Sequence, residues 1–347
     1  MDSTQLNGQV KPVPEKKGIS GSTIKIIAIV SMLIDHIGAG ILGRLIMNAN
    51  YMQIMTSGDL NDAMRWLMDN GVLYYTYMVM RMIGRLGFPI FCFLLVEGFD
   101  KTRSKTKYLF RLGIFALISE IPFDLAFSAT VLEFRHQNVY FTLFLGLLSL
   151  CAYVSMDKHR LPVPVRWLMS AMGVVVSSAW LAKFSWQYVQ RYILFKFPRL
   201  MIFGNAVTVT TVFLMICIIT VTILICYRGR MGTEKMLSVG TDLAVLSLLM
   251  TLADLLHTDY SGMGVLTITV MYILRHYNVL AMAGGCVVLT LKSLTEIPAF
   301  GALIPIAIYN GKRGLKLKYF FYVFYPAHLL LLWLAAWLMG TAFIPVF

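Results

Sequence analysis

The sequence predicts an all-α, polytopic transmembrane helix bundle of about 10–11 spans. Apolar side chains make up 58% of the 347 residues and charged side chains only 14%. The mean hydropathy is +0.73. Several windows, among them 203–227 and 319–340, exceed the roughly 18 to 20 apolar residues that a hydrocarbon core about 30 Å thick requires. This composition excludes an ordinary soluble globular domain.

Eleven spans follow from apolar length and from the turn residues between them. They cover 22–47, 72–98, 108–128, 138–156, 165–182, 203–227, 238–256, 261–275, 278–291, 297–309 and 318–340. The short segments 278–291 and 297–309 are interpreted either as crossings or as half-helices lining a cavity, because irregular backbone at membrane depth needs protein or water around it. Residues 22–347 are predicted to form one transmembrane domain after a disordered, basic, cytoplasmic tail over 1–21.

The positive charges of the chain, net +13, concentrate in alternate loops. These basic loops are 101–107, 158–166, 228–235 and 312–318. The loops between them, 59–69 and 254–259, are acidic or neutral. The positive-inside rule therefore predicts a multi-pass protein of the cell membrane whose N-terminus is cytoplasmic. Since the cations sit in short loops, the bilayer is the expected partner and nucleic acid is not.

Two segments outside the predicted spans are expected to lie in the headgroup layer. Residues 183–202 form an outer loop that breaks the positive-inside rule, because they interleave four Lys and Arg residues with six aromatic residues. This mixture is typical of interfacial segments, and capture of an acidic acceptor is the alternative. Asp59 is a candidate N-cap for a second interfacial helix, in which apolar residues recur at i, i+3, i+4, i+7 and i+8 from Leu60.

Ionisable residues within predicted spans are costly, so each is a candidate for function. On the first span, Lys25 and His36 are eleven residues apart, about 20° beyond three full turns and about 16 Å along the axis. They therefore share one face. Asp35 points about 100° away and is expected to brace an adjacent helix or to orient His36 through a neighbour.

Further along, Arg81 and Arg85 lie four residues apart on the second span, and Glu120 and Asp124 lie in the third. Two interpretations stay open for this set. The four residues pair with one another, or the arginines bind an anion or a substrate.

His328 lies about ten residues from the cytoplasmic end of the last span, so its depth matches that of His36. Together with Tyr325, the two histidines predict a shared polar cavity. Asp259, with Asp254 and His257, marks an outer helix end, where a structural turn, an acceptor-side role and metal binding are the alternatives. No metal is expected, because three such residues on a short turn are a weak metal pattern.

Several blocks of the sequence resemble known membrane acyltransferases. Lys25 and His36 resemble the R/K-x10-H motif of the membrane acyltransferase-3 proteins. Six blocks together resemble the TraX family: IKIIAIVSMLIDHIG (24–38), GRLGFPIFCFLLVEGF (84–99), YLFRLGIFALISEIPFDL (108–125), NVYFTLFLGLL (138–148), DYSGMGVL (259–266) and KYFFYVFYPAHLLLL (318–332).

This resemblance implies a multi-pass acetyltransferase that moves an acetyl group from cytosolic acetyl-CoA to an amine or hydroxyl of an acceptor at or across the membrane. The acceptor is left open among a peptide N-terminus, a glycan and a small amine, as is a homodimer. The expected catalytic residues are His36, Asp35, His328 and Tyr325. The expected donor-binding residues are Lys25, Arg81, Arg85 and Arg111, and the expected substrate residues are Glu120, Asn138 and Asp259.

Two other functions remain open. A proton-coupled secondary transporter would relay protons through Asp35, His36, Glu120 and His328. A noncatalytic membrane scaffold would use the same buried polar groups only to specify helix packing.

Overall fold

The structure, a computed structural model, describes residues 17–189, 205–315 and 318–346. The helices are α1 (Gly21–Ile37), α2 (Gly43–Asn48), α3 (Tyr51–Ser57), α4 (Leu60–Gly84), α5 (Gly87–Lys101), α6 (Lys105–Phe127), α7 (Val139–Lys158), α8 (Val163–Val189), α9 (Asn205–Met231), α10 (Thr233–Leu255), α11 (Ser261–Ile273), α12 (Asn278–Lys292), α13 (Leu303–Ala307) and α14 (Lys318–Leu338). A π-helical turn, Gly38–Leu42, joins α1 to α2, and a 3-10 helix, Leu294–Ala302, precedes α13. The predicted all-α bundle is confirmed.

Each of the eleven predicted spans falls on a helical segment. In the described part of the chain, seven segments are long and apolar enough to cross a membrane. They are Gly21–Asn48, Leu60–Lys101, Val139–Lys158, Val163–Gln187, Val209–Met231, Thr233–Leu255 and Phe320–Leu338. Helix α6 is as long but more polar, and α11, α12 and Leu294–Ala307 are shorter apolar helices. The chain is a multi-pass membrane protein.

The predicted division between an interfacial helix after Asp59 and a span from residue 72 is wrong. Asp59 does cap a helix, since its Oδ1 accepts from the backbone N–H of Asn61 at 2.8 Å. That helix, α4, continues without interruption to Gly84, and the break comes at Arg85. The physical reason is Pro89, which has no N–H to offer the carbonyl four residues earlier and whose ring clashes with it. The break therefore lies at a half-buried arginine.

Two other predictions fall partly on residues that the structure does not describe. Helix α8 continues through Val189, so the start of the 183–202 segment is helical, and 190–202 lies outside the described residues. In the predicted tail, residues 1–16 lie outside the described residues, while α1 already begins at Gly21.

Helices α1 and α14 lie side by side and run in the same direction. At their first turns, the backbone N–H of Leu315 donates to Ser22 Oγ at 3.0 Å. One turn further along α1, the ammonium of Lys25 lies 5.4 Å from the centre of the Phe321 ring. Beyond their other ends, Arg44 Nε donates to the carbonyl of Ile344 at 3.0 Å. In two parallel, adjacent helices, equal residue counts from the same end therefore correspond to equal depths in the bundle.

The basic loops gather at one end of the bundle. Lys101 Nζ donates to the carbonyl of Gly311 at 3.1 Å, which joins the first and last of these loops. At the opposite end, the Asn138 end of α7 contacts α6, and Gln137 pairs with Thr258. Helix α7 consequently ends, and α10 begins, on the side of the bundle where α6 begins. The basic loops 158–166 and 228–235 lie on that side as well. The predicted grouping of the positive charges is confirmed.

Candidate functional site

A pair of histidines joins α1 to α14. His36 Nδ1 and His328 Nε2 are 2.7 Å apart, and His328 Nδ1 lies 2.8 Å from the carbonyl oxygen of Phe324. A carbonyl can only accept, so the hydrogen-bond partners assign the proton of neutral His328 to Nδ1. Its Nε2 must then accept from His36 Nδ1–H. The second nitrogen of His36, Nε2, therefore carries a free lone pair.

Aromatic side chains surround this pair. The rings of His36 and His328 are nearly parallel, at 7°, with their centres 5.0 Å apart, and the ring of His36 meets Phe127 at 5.3 Å and Tyr325 at 5.9 Å. His328 and Tyr325 are only 4% and 3% exposed. The π-helical turn begins two residues after His36, and such turns occur frequently at functional sites. His36, His328 and Tyr325 are therefore neighbours in space, and the polar cavity expected between them stays a prediction.

Asp35 braces α1 against α4 rather than contacting His36. Its Oδ2 lies 2.6 Å from Arg81 Nη1, and Ser31 Oγ donates to the carbonyl of Ile83 at 2.6 Å on the same interface. Gly84 makes the approach feasible, because a Cβ at that position would lie 2.1 Å from Asp35 Oδ1. The bracing role predicted for Asp35 is confirmed.

Arg85 has a partner that sequence reasoning missed. Its Nη1 lies 2.8 Å from Glu296 Oε1, and Glu296 belongs to the 3-10 helix. Nearby, Lys292 Nζ donates to the carbonyl of Asp259 at 3.1 Å and lies 4.9 Å from the centre of the Tyr260 ring. Lys292 and Glu296 lie just between the two short predicted spans. The charge of both residues beside short apolar segments was a signal that could have found them.

Glu120 and Asn138 form a separate buried unit. The side-chain amide of Asn138 donates to the Glu120 carboxylate and, at 2.8 Å, to the carbonyl of Ala116. Asn138 Oδ1 also caps α7 by accepting from the N–H of Tyr140 at 3.0 Å. Asp124 Oδ2 accepts from the N–H of Glu133 at 2.8 Å. These contacts hold the α6–α7 corner.

The predicted pairing of Arg81 and Arg85 with Glu120 and Asp124 is consequently wrong. Both arginines lie at the end of α4, which packs on α1 and on the 3-10 helix. Asp35 of α1 and Glu296 of the 3-10 helix are the carboxylates that the two arginines contact. Glu120 and Asp124 of α6 instead accept hydrogen bonds from the segment between α6 and α7. All four groups remain inside the bundle, with different partners.

Asp259 lies at the opposite end of the bundle from the basic loops. Its Oδ1 is 3.5 Å from His136 Nε2. Desolvation by burial raises the pKa of Asp259, but His136, Lys292 and Arg85 outweigh it and hold that pKa below its ordinary value. The neighbouring Asp254 has a structural role, since it accepts from Trp180 Nε1 and from the N–H of Gly262, both at 2.7 Å.

The predicted donor-binding cations fall into two groups. Arg81 and Arg85 are tied to carboxylates, whereas Lys25 and Arg111 form no ion pair with any described residue. Arg111 Nε is buried and lacks a hydrogen-bond partner among the described residues. Free cations at the basic end of the bundle fit the phosphates of a polyanionic donor.

Lys25 and Arg111 flank the same turn of α14. Lys25 lies over Phe321, and Phe115, one turn beyond Arg111, stacks on Tyr322 at 4.8 Å. Arg313, which sequence reasoning did not single out, adds a third cation, because its carbonyl accepts from the N–H of Ser22 at 3.0 Å. Lys25 of α1, Arg111 of α6 and Arg313, just before α14, are together called the basic mouth below.

Comparison with known proteins identifies relatives of the whole chain and of part of it. The family described as "TraX protein" matches residues 20–195 and 167–336. A curated relative, "Probable fimbrial assembly protein FimC, serogroup H1" from Dichelobacter nodosus, is 34% identical over 154 residues, which are 42% of this chain and 50% of the relative. The chain thus matches about half the length of that relative. No solved structure matches significantly.

Proposed function

This chain belongs to the TraX family, and we propose that it is an integral membrane acetyltransferase. It takes an acetyl group from acetyl-CoA and transfers it to an amine or hydroxyl of an acceptor at or across the cell membrane. The observation that carries the proposal is the hydrogen-bonded chain from His36 through His328 to the carbonyl of Phe324. These hydrogen bonds leave the lone pair of His36 Nε2 available, so that this nitrogen can act as the general base that acyl transfer to a hydroxyl or amine requires.

The donor enters at the basic mouth. The phosphates of acetyl-CoA pair with Lys25, Arg111 and Arg313, which have no carboxylate partners among the described residues. The separation of Lys25 and His36 along α1, about 16 Å, suits the extended pantetheine arm. With the basic loops in the cytoplasm, the donor comes from the cytosol and the N-terminus is cytoplasmic.

The proposed reaction follows from the tautomer of His36, which carries its proton on Nδ1 and its free lone pair on Nε2. His36 Nε2 takes the proton from the acceptor as its oxygen or nitrogen attacks the thioester carbonyl. The carbon–sulfur bond breaks, and the CoA thiolate takes that proton from His36 to leave as the thiol. His328 supports this step because the bond from His36 Nδ1–H becomes charge-assisted when His36 is protonated. In a second route with the same geometry, the lone pair of His36 Nε2 attacks the thioester carbonyl, the carbon–sulfur bond breaks and CoA leaves as the thiolate. The acceptor then attacks the acetyl-imidazole, its proton passes to the thiolate, and the bond from the acetyl carbon to Nε2 breaks to restore His36.

Other predicted site residues take supporting positions in this proposal. Arg81 and Arg85 hold α4 through Asp35 and Glu296 and do not contact the donor. Tyr325, at 5.9 Å from His36 between ring centres, is close enough to donate to the developing oxyanion. Glu120 and Asn138 shape the α6–α7 corner.

The acceptor is placed at the Asp259 end of the bundle. A half-buried carboxylate there, beside His136, offers a partner for a cationic or hydroxyl-bearing acceptor. The fimbrial assembly name of the curated relative supports a protein acceptor from a surface appendage. A pilus or fimbrial subunit is therefore the first acceptor to test.

The test offers radiolabelled acetyl-CoA to the purified protein in proteoliposomes that contain the source membrane extract. The product is then identified by mass spectrometry. We expect label on an acceptor with wild-type protein and a loss of about 10²–10⁴-fold with His36→Ala, the usual contribution of a general base. Retained transfer by His36→Ala overturns the proposal.

Two further readouts separate the alternatives. Label on the protein itself, lost in His36→Ala, assigns the covalent route, whereas label only on the acceptor assigns direct transfer. Solute-driven proton flux without acetyl-CoA turnover would identify a transporter instead. Thermal unfolding of His36→Ala, compared with that of wild type, checks that the variant is folded.

A further inference from the structure

A small polar cavity lies at the basic end of the bundle, where α7 ends and α8 and α10 begin. Its volume is about 180 Å³, and a cavity needs only about 10–15 Å³ to hold one water molecule. It is lined by Asp157, Arg160, Arg166, Glu234, Lys235 and Ser238, among others. None of these residues takes part in the proposed acetyl transfer.

Charges of both signs line this cavity, and they are only partly neutralised by one another. Glu234 Oε2 lies 2.8 Å from Arg166 Nη1 and 3.4 Å from Arg160 Nη1, so one carboxylate oxygen serves two arginines. Lys235 forms no ion pair with any residue that the structure describes. From the residues that the structure describes, Asp157 accepts one hydrogen bond, from Ser238 Oγ at 3.1 Å. One cation and one carboxylate thus keep capacity for a ligand.

The position of the cavity limits what that ligand can be. Three of the helices that are long and apolar enough to cross a membrane meet here. On α8, Trp167 and Leu168 are 46% and 63% exposed, and exposed tryptophans are typical of the level where headgroups meet hydrocarbon. The cavity consequently opens at the depth of lipid phosphates.

We propose that this cavity binds the headgroup of a phospholipid that carries a primary amine beside its phosphate. The phosphate pairs with Lys235 and Arg160, and the ammonium donates to Asp157. A purely anionic headgroup would place no cation against Asp157. A choline headgroup has no N–H to donate to a carboxylate, so the primary amine is the better match.

The experiment titrates purified protein in detergent with short-chain phosphatidylethanolamine and follows thermal unfolding. The same titration is run with phosphatidylcholine and phosphatidylglycerol of equal chain length, and with soluble phosphoethanolamine and inorganic phosphate. We expect phosphatidylethanolamine to bind about tenfold more tightly than either other lipid, the scale of one charge-assisted hydrogen bond. Equal affinity for all three lipids overturns the proposal, as does equal binding of either soluble phosphate compound.

Variants then test the assignment residue by residue. Lys235→Ala is expected to weaken phosphatidylethanolamine binding about tenfold. Asp157→Asn is expected to remove the preference over phosphatidylcholine, because it removes the acceptor for the ammonium. Lys158→Ala is the matched control, since Lys158 is an exposed lysine at the end of α7, beside the cavity, but does not line it. A loss in Lys158→Ala equal to that in Lys235→Ala contradicts the site, because it would show a general effect of loop charge.

Discussion

Replacing His328 by leucine tests how the histidine pair works. In the native protein, His36 Nδ1 donates to His328 Nε2 across 2.7 Å, and the carbonyl of Phe324 fixes the orientation of His328. Leucine fills a similar space but accepts no hydrogen bond. His36 is then free to place its proton on either nitrogen, and its protonated form loses its partner. The change should therefore lower the rate of acetyl transfer and leave donor binding intact.

The size of the effect follows from the difference between two states of one hydrogen bond. Between neutral imidazoles the bond is worth about 1 kcal/mol, and with a charged donor about 1.5–3 kcal/mol. Only the difference, about 0.5–2 kcal/mol, is specific to the transition state. At about 1.4 kcal/mol for each factor of ten, kcat should fall about 2–30-fold. This loss is smaller than the one expected for His36→Ala.

The assay measures kcat and KM for acetyl-CoA in proteoliposomes for wild type, His328→Leu and His328→Gln. The glutamine variant retains an oxygen that accepts from His36, so it should keep most of the activity that leucine loses. Two results would refute the reasoning. The first is a glutamine variant as slow as the leucine variant, and the second is a rise in KM with kcat unchanged.

Three further predictions concern other parts of the site. Arg111→Ala should raise KM for acetyl-CoA about tenfold with a smaller change in kcat, since a phosphate partner is lost; an unchanged KM contradicts this role. Gly84→Ala should lower the unfolding temperature clearly, because the added Cβ would lie 2.1 Å from Asp35 Oδ1. Gly87→Ala is the control and should be tolerated, because its Cβ would lie 3.5 Å from the nearest atom, the carbonyl oxygen of Ala28. The pKa of Asp259 is lowered in the folded protein. Its ionised carboxylate therefore stabilises the fold above the unfolded pKa of about 3.9, and this stabilisation is lost as the pH falls through the folded pKa. Asp259→Asn should consequently flatten the acid side of a plot of unfolding temperature against pH.

The histidine pair could be predicted from the sequence because regular, parallel helices convert residue number into depth. His36 and His328 lie at similar distances along the chain from the same end of two spans. Helices α1 and α14 begin at the same level, since Leu315, just before α14, donates to Ser22 in the first turn of α1. The bracing role of Asp35 followed from the same geometry, since 100° of rotation takes it off the face of His36.

The partners of the arginines could not be predicted in this way. Which carboxylate meets Arg81 or Arg85 depends on which helices are neighbours, and helix periodicity within α4 does not contain that information. Glu296 comes from a 3-10 helix about 210 residues away in sequence. The break of α4 at Arg85, by contrast, could have been predicted from Pro89 four residues later.

The arrangement of the buried acids also bears on the transporter alternative. A proton relay needs groups that can both accept and release a proton in sequence. The histidine chain instead ends at the carbonyl of Phe324, which only accepts a hydrogen bond. Asp35 is held by Arg81, and Glu120 is held by the amide and backbone of Asn138. Among the described residues, no hydrogen bond joins Asp35 or Glu120 to the histidine pair, and this supports the proposed group transfer over proton conduction.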